Sequence, residues 1–121
     1  MKVIRSFKYA FSGIYHCLFF ELNFKIHTIA AVAVTVCGMF FHITINEWIA
    51  VFICMAVVIS LEMMNTAIER LCDMINPGIH PNIKVIKDVA AGSVLAAAFG
   101  SAVIGSFIFI PKVYVLIKEI I

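Results

Sequence analysis

Apolar and polar positions fall along this chain in long blocks with helical spacing inside them, and the blocks outline four elements. Residues 28–41 carry no charge, and neither do residues 50–61. With their flanks, such runs suit a hydrocarbon layer about 30 Å thick, which takes roughly 20 helical residues to cross. A first span is predicted over about residues 28–45, with His42 and Asn46 marking its far end. A second is predicted over about 48–75. It opens at Trp48, an aromatic suited to a membrane–water boundary, and stops where Asn76-Pro77-Gly78 and His80-Pro81-Asn82 punctuate the chain. A third is predicted over about 83–110, closed by Pro111 with residues 112–121 as a short tail.

Residues 4–24 read differently. Arg5, Lys8, Ser12, His16 and Asn23 tend to one side of a helix, and Ile4, Phe7, Phe11, Ile14, Leu18 and Phe19 supply the other. That is the pattern of a helix lying in a membrane surface. The predicted fold class is therefore an all-α membrane protein, three transmembrane helices plus an N-terminal amphipathic surface helix, in one domain over residues 1–121.

Composition supports membrane residence independently. The 121 residues are 64% hydrophobic and 13% charged, more apolar surface than a soluble domain of this size can hide. The formal charge of +2 says little, but its distribution does. Lys2, Arg5, Lys8, Lys25, Arg70, Lys84 and Lys87 fall on the side of the N-terminus and the second connection, against Lys112 and Lys118 on the other. The positive-inside rule then puts the N-terminus of a multi-pass membrane protein in the cytoplasm and its C-terminus outside. Dispersed in this way, the basic residues form no nucleic-acid patch. Cys17, Cys37, Cys54 and Cys72 lack ligand spacing and read as small buried hydrophobes. Polar residues at Ser12, Gly13 and His16 interrupt the N-terminal segment, so no cleavable signal peptide is expected.

The candidate chemistry lies at the end of the second span. Glu62 directly follows the uncharged run, and on a helix Glu62, Glu69 and Asp73 fall within roughly 40° of one another, with Asn65 about 60° to one side. A solvated helix end would account for Asp73 and leaves Glu62 unexplained, since an ionisable group at membrane depth is costly. Arg70, the nearest opposite charge, is expected to point away from this face. Topology brings two more polar clusters to the same level: Glu21, Asn23, Lys25 and His27 before the first span, and Lys84, Lys87 and Asp88 opening the third. Carboxylates from two helices beside lysines suit a divalent metal with phosphate, because Mg²⁺ takes one or two carboxylates plus substrate phosphates. No phosphate-binding Gly-rich loop is present. A nucleotide kinase is thus one option among several from the residues alone, and a small transporter subunit is another. In the third span, Gly92, Ala96 and Gly100 form one four-residue series and Ala97, Ser101 and Gly105 another, rows that let helices approach closely.

Three stretches carry a resemblance: Glu21-Leu22-Asn23-Phe24-Lys25-Ile26-His27, Glu62-Met63-Met64-Asn65-Thr66-Ala67-Ile68-Glu69 followed by Asp73, and Lys87-Asp88-Val89-Ala90-Ala91-Gly92-Ser93-Val94-Leu95. In these motifs and their spacing the chain resembles the small prokaryotic diacylglycerol kinases, a family that includes the undecaprenol kinases. The resemblance implies a homotrimer with sites shared between subunits, and transfer of phosphate from ATP with Mg²⁺ to a membrane lipid alcohol at the cytoplasmic face. By position it implies Glu62 as general base toward the lipid hydroxyl, Asn65 orienting the site, and Lys87 on the phosphates. Glu21 and Glu69 would hold the metal. Arg5, Tyr9, Asp73, His80, Lys87 and Asp88 would serve the nucleotide, and Asn23 and His27, with Glu62, the lipid. Lys25 stands where relatives of the undecaprenol type often have Arg, and His27 where the enterobacterial diacylglycerol branch is usually acidic. The motifs look more like the undecaprenol branch, with diacylglycerol as the alternative substrate. Phe19, Phe20, Phe24 and Val58 are candidates for lining a lipid groove between neighbouring subunits.

Overall fold

The computed structural model covers residues 1–121 and contains four α-helices: α1 (Lys2–Phe20), α2 (Leu22–Phe41), α3 (Ile45–Ile75) and α4 (Pro81–Ile120). The last three are long and apolar enough to cross a membrane. Helix α3 is central, with α4 packed along it, α2 beside it and α1 against α2 and α3. Only 13 of 121 residues are buried, so the outward apolar faces suit lipid or further protein.

Helix α2 turns into α3 through a Schellman pattern. Ile43 N–H donates to the Gly38 carbonyl and His42 N–H to that of Met39, with His42 in the left-handed region at φ 51°. A Cβ at Gly38 would stand 2.7 Å from the Trp48 ring, so only glycine admits that ring. Ile43, Val51 and Ile108 then form a small core with Trp48, Phe41 and Phe109 around it. Thr44 and Glu47 build a reciprocal capping box at the start of α3. Glu47 uses its other oxygen as well: its Oε2 accepts from Lys112 Nζ at 2.7 Å. At the opposite end Lys87 Nζ donates to Asp73. The antiparallel α3–α4 pair is therefore joined by an ion pair near each end, with residues 47 and 73 on α3 facing 112 and 87 on α4.

Several boundaries differ from the sequence expectation, and α2 ends at Phe41 and α3 begins at Ile45 rather than near residues 45 and 48. The surface helix ends at Phe20, not near residue 24, because Glu21 adopts extended backbone (φ −111°, ψ 116°) between two helices. Its N–H still donates to Cys17 and its carbonyl still accepts from Lys25, so the break occupies a single residue and Asn23 belongs to α2. Helix α2 accordingly starts at Leu22, taking Lys25 and His27 into its first turns. Pro111 does not close the last helix: α4 continues through it to Ile120. Proline removes one N–H, and the helix continues past it, with Lys112 tied to Glu47 of α3 in the next residue.

Candidate active site at one end of the bundle

Glu62, Asn65 and Thr66 are the chain's only buried polar or charged residues, at 3%, 4% and 6% exposure. They occupy one stretch of α3. Asn65 Nδ2 donates to Glu69 Oε1, one turn further on, at 3.2 Å. Its Oδ1 is buried without a hydrogen-bond partner, an acceptor open to an incoming donor. From α2, His27 brings Nε2 to 3.8 Å from Glu62 Oε2.

Glu21 projects from the helix break to the same region. Its Oε1 accepts from Arg70 Nη2 at 3.0 Å and lies 3.9 Å from His16 Nε2, which is buried and otherwise unpartnered. Glu21, Glu62 and Glu69 thus bring three carboxylates from two elements to one end of the bundle. Beside them the buried Cys17 thiol has its pKa pushed up, first by burial and then by the Glu21 carboxylate. On the α4 side, Lys87 is engaged by Asp73, and Lys84 donates to Asp88 at 2.6 Å.

The structure thus brings together Glu21, His27, Glu62, Asn65 and Glu69, with the Lys87–Asp73 pair across the α3–α4 end. Other expected residues lie apart. Arg5 and Tyr9 sit in the N-terminal part of α1, where residues 1–15 are all exposed. Asn23 and Asp88 are also exposed. His80 caps α4, its Nδ1 accepting from Asn82 N–H at 3.2 Å. Arg70, expected to point away from the acidic face of α3, makes its hydrogen bond to Glu21 of the helix break. Thr66 and His16 were also missed. Thr66 had a signal, standing one turn beyond Glu62 on the same face, whereas His16 had none beyond its place on the polar side of α1.

An apolar groove of about 470 Å³ runs between α2, α3 and α4, with His27 at one end and Phe109 and Ile110 at the other. Val58, Ser101 and Gly105 lie along it. Of the groove candidates from sequence, Val58 lines this groove and the buried Phe24 lines a second one between α1, α2 and α3. Phe19 and Phe20 are exposed.

The donor set fits Mg²⁺ with a phosphate co-ligand. No three His, Cys, Asp or Glu side chains form a protein-only metal cage. Glu21 and Glu69 are hard oxygen donors, and each uses Oε1 toward a neighbour within the chain. Two carboxylates with the remaining positions left to phosphate and water is the usual arrangement for this ion.

The model of the family described as prokaryotic diacylglycerol kinase matches residues 8–109. The chain is 41% identical over 111 residues to the undecaprenol kinase of Bacillus subtilis, which spans 92% of this chain and 90% of that protein. It is 32% identical over 111 residues to the diacylglycerol kinase of Synechocystis sp., which spans 91% of this chain and 63% of that protein.

Proposed function

The chain belongs to the prokaryotic diacylglycerol kinase family, and from that premise we propose that it transfers the γ-phosphoryl group of ATP to a membrane lipid alcohol, undecaprenol in preference to diacylglycerol. The observation that carries this reading is Glu62. A carboxylate only 3% exposed, beside His27 at the end of an apolar groove, suits a hydroxyl delivered on an apolar tail.

The roles follow from the chemistry of each side chain. Glu62 takes the proton of the lipid hydroxyl as the hydroxyl oxygen attacks the γ-phosphorus and the bond from that phosphorus to the bridging oxygen breaks, releasing ADP, with His27 next to it to orient the alcohol. Asn65, fixed by Glu69, presents its open Oδ1 to the incoming group. Lys87, held by Asp73, turns a cation toward the phosphoryl oxygens, where charge spreads in the transition state. Glu21 and Glu69 would hold Mg²⁺, which when bound neutralises phosphate charge and orients the nucleotide. Arg5 and Tyr9 on the exposed part of α1, with His80 and Asp88 at the start of α4, serve the nucleotide, and Asn23 the lipid head.

The site lies at the basic end of the chain, which supports a cytoplasmic N-terminus and chemistry at the cytoplasmic face. A homotrimer is supported by the row of Gly92, Ala96 and Gly100. These residues are not buried within the protomer, and a Cβ at Gly92 or Gly100 would meet nothing within 4 Å. A neighbouring helix can therefore come close there. Undecaprenol is preferred because the motifs and the higher identity point the same way. A transporter would place its coupling carboxylate near the bilayer midplane, whereas these carboxylates gather at one end.

Undecaprenol and diacylglycerol should be offered together to the purified protein with Mg²⁺-ATP in mixed micelles, and kcat/KM compared. Apolar packing discriminates weakly, so a preference for undecaprenol without exclusion of diacylglycerol is expected. A diacylglycerol preference above about tenfold would reverse the substrate assignment. Absence of transfer to either lipid would overturn the kinase reading.

A further inference from the structure

Glu21 and Glu69 reach the site by unlike routes. Glu69 is on α3, and its carboxylate is steadied from the same helix by Asn65. Glu21 is the lone extended residue between α1 and α2, so its position depends on how that junction docks. Its hydrogen-bonded tether to α3 is Arg70, 49 residues away in sequence and immediately next to Glu69. Two details give this tether a purpose beyond surface pairing. First, the two carboxylates are treated alike: Asn65 donates to Oε1 of Glu69 and Arg70 donates to Oε1 of Glu21. A carboxylate has acceptor capacity at both oxygens, so one anchored oxygen leaves the other to ligate. Second, the flanking Asn65 Oδ1 is buried and unpartnered, which marks the space between these groups as made to receive a polar ligand.

We propose that Arg70 is a positioning residue that registers Glu21 against Glu69, acting through Glu21 on the binding of a divalent cation with a nucleoside triphosphate. This rests on the reading of Glu21 and Glu69 as the cation-holding pair. Arginine suits the task better than lysine, because its planar fork fixes direction as well as charge. Groups that hydrogen-bond to ligating carboxylates commonly change metal affinity by about 10–100-fold when removed. Arg70 is 58% exposed, so its replacement leaves no cavity and no stranded buried charge.

The test is equilibrium binding of a non-hydrolysable ATP analogue to the full-length protein in detergent, titrated with Mg²⁺ and with no lipid substrate. The proteins compared are wild type, R70A, R70K, E21Q and the E21Q/R70A double variant. R70A is expected to weaken Mg²⁺-dependent binding by about 10–100-fold, with R70K in between. R70A should add almost nothing in the E21Q background, since a residue acting through Glu21 has nothing left to position. Binding by R70A equal to wild type, with E21Q weakened, overturns this proposal alone. Additive losses in the double variant also overturn it, because Arg70 would then act independently of Glu21. Wild-type binding that ignores Mg²⁺, or that E21Q leaves untouched, removes the assignment of the cation pair beneath it.

Discussion

Replacing each of the two α3 glutamates by glutamine should divide binding from chemistry. Glu62 and Glu69 are seven residues apart on one helix face, about 10 Å along the axis at 1.5 Å per residue. Glutamine matches glutamate in volume, so E62Q leaves no cavity at a residue that is 3% exposed. Loss of a general base costs about 10²–10⁴ in rate, or roughly 3–5 kcal/mol at 1.36 kcal/mol per decade. Its effect on nucleotide affinity is smaller and opposite in sign. A unit negative charge at about 10 Å and an effective dielectric near 20 opposes an anion by on the order of 1.5 kcal/mol, and removing it favours nucleotide. E69Q instead exchanges an anionic oxygen ligand for a neutral amide, so Mg²⁺-ATP affinity should fall. Nucleotide titration and initial rates on both variants measure the split: kcat falls in E62Q at unchanged or tighter nucleotide binding, and the apparent Kd for Mg²⁺-ATP rises in E69Q. Equal loss of nucleotide affinity in both variants would refute the assignment of Glu62 as base.

Two further predictions concern the scaffold. G38A drives a methyl to 2.7 Å from the Trp48 ring and 3.0 Å from Ile43, which should destabilise the α2–α3 turn by about 1–3 kcal/mol and lower the thermal midpoint in detergent. The Cys17 thiol, buried and with its pKa raised beside Glu21, should alkylate slowly at neutral pH and faster only as pH climbs beyond the ordinary thiol range. Peptide mass spectrometry after timed exposure to maleimide reads this directly, and labelling of Cys17 as fast as that of a free thiol would contradict its burial.

The spans and the acidic face were legible because membrane crossing is a property of composition and length, and because Glu62 ends an uncharged run. Helical periodicity carried Asn65, Glu69 and Asp73 onto the same face without any knowledge of partners. What escaped was non-local or conditional. Arg70 finds Glu21 across 49 residues, and no local pattern announces that pair. The break at Glu21 uses neither proline nor glycine, so the usual punctuation was absent. Pro111 looks like a stop in sequence because proline removes an N–H, yet α4 runs through it, one residue before the Lys112–Glu47 contact that holds this end of the helix to α3. Arg5 and Tyr9 were assigned to the nucleotide through the family resemblance, and the protomer leaves both on an exposed stretch of α1.

The ion pairs joining α3 and α4 act together as a ruler. Glu47 and Asp73 are 26 residues apart on α3, and their partners Lys112 and Lys87 are 25 apart on α4. Both intervals correspond to about 38 Å of helix, somewhat more than the roughly 30 Å of hydrocarbon, so the two pins do not both lie within the hydrocarbon layer. Sliding one helix past the other by a single turn would break both pins at once. The depth at which Glu62 meets a hydroxyl is therefore gauged partly from the far side of the membrane, where Glu47 grips Lys112. A bilayer of the wrong thickness would strain the Glu47–Lys112 pin, at the end of the bundle away from the groups that handle phosphate.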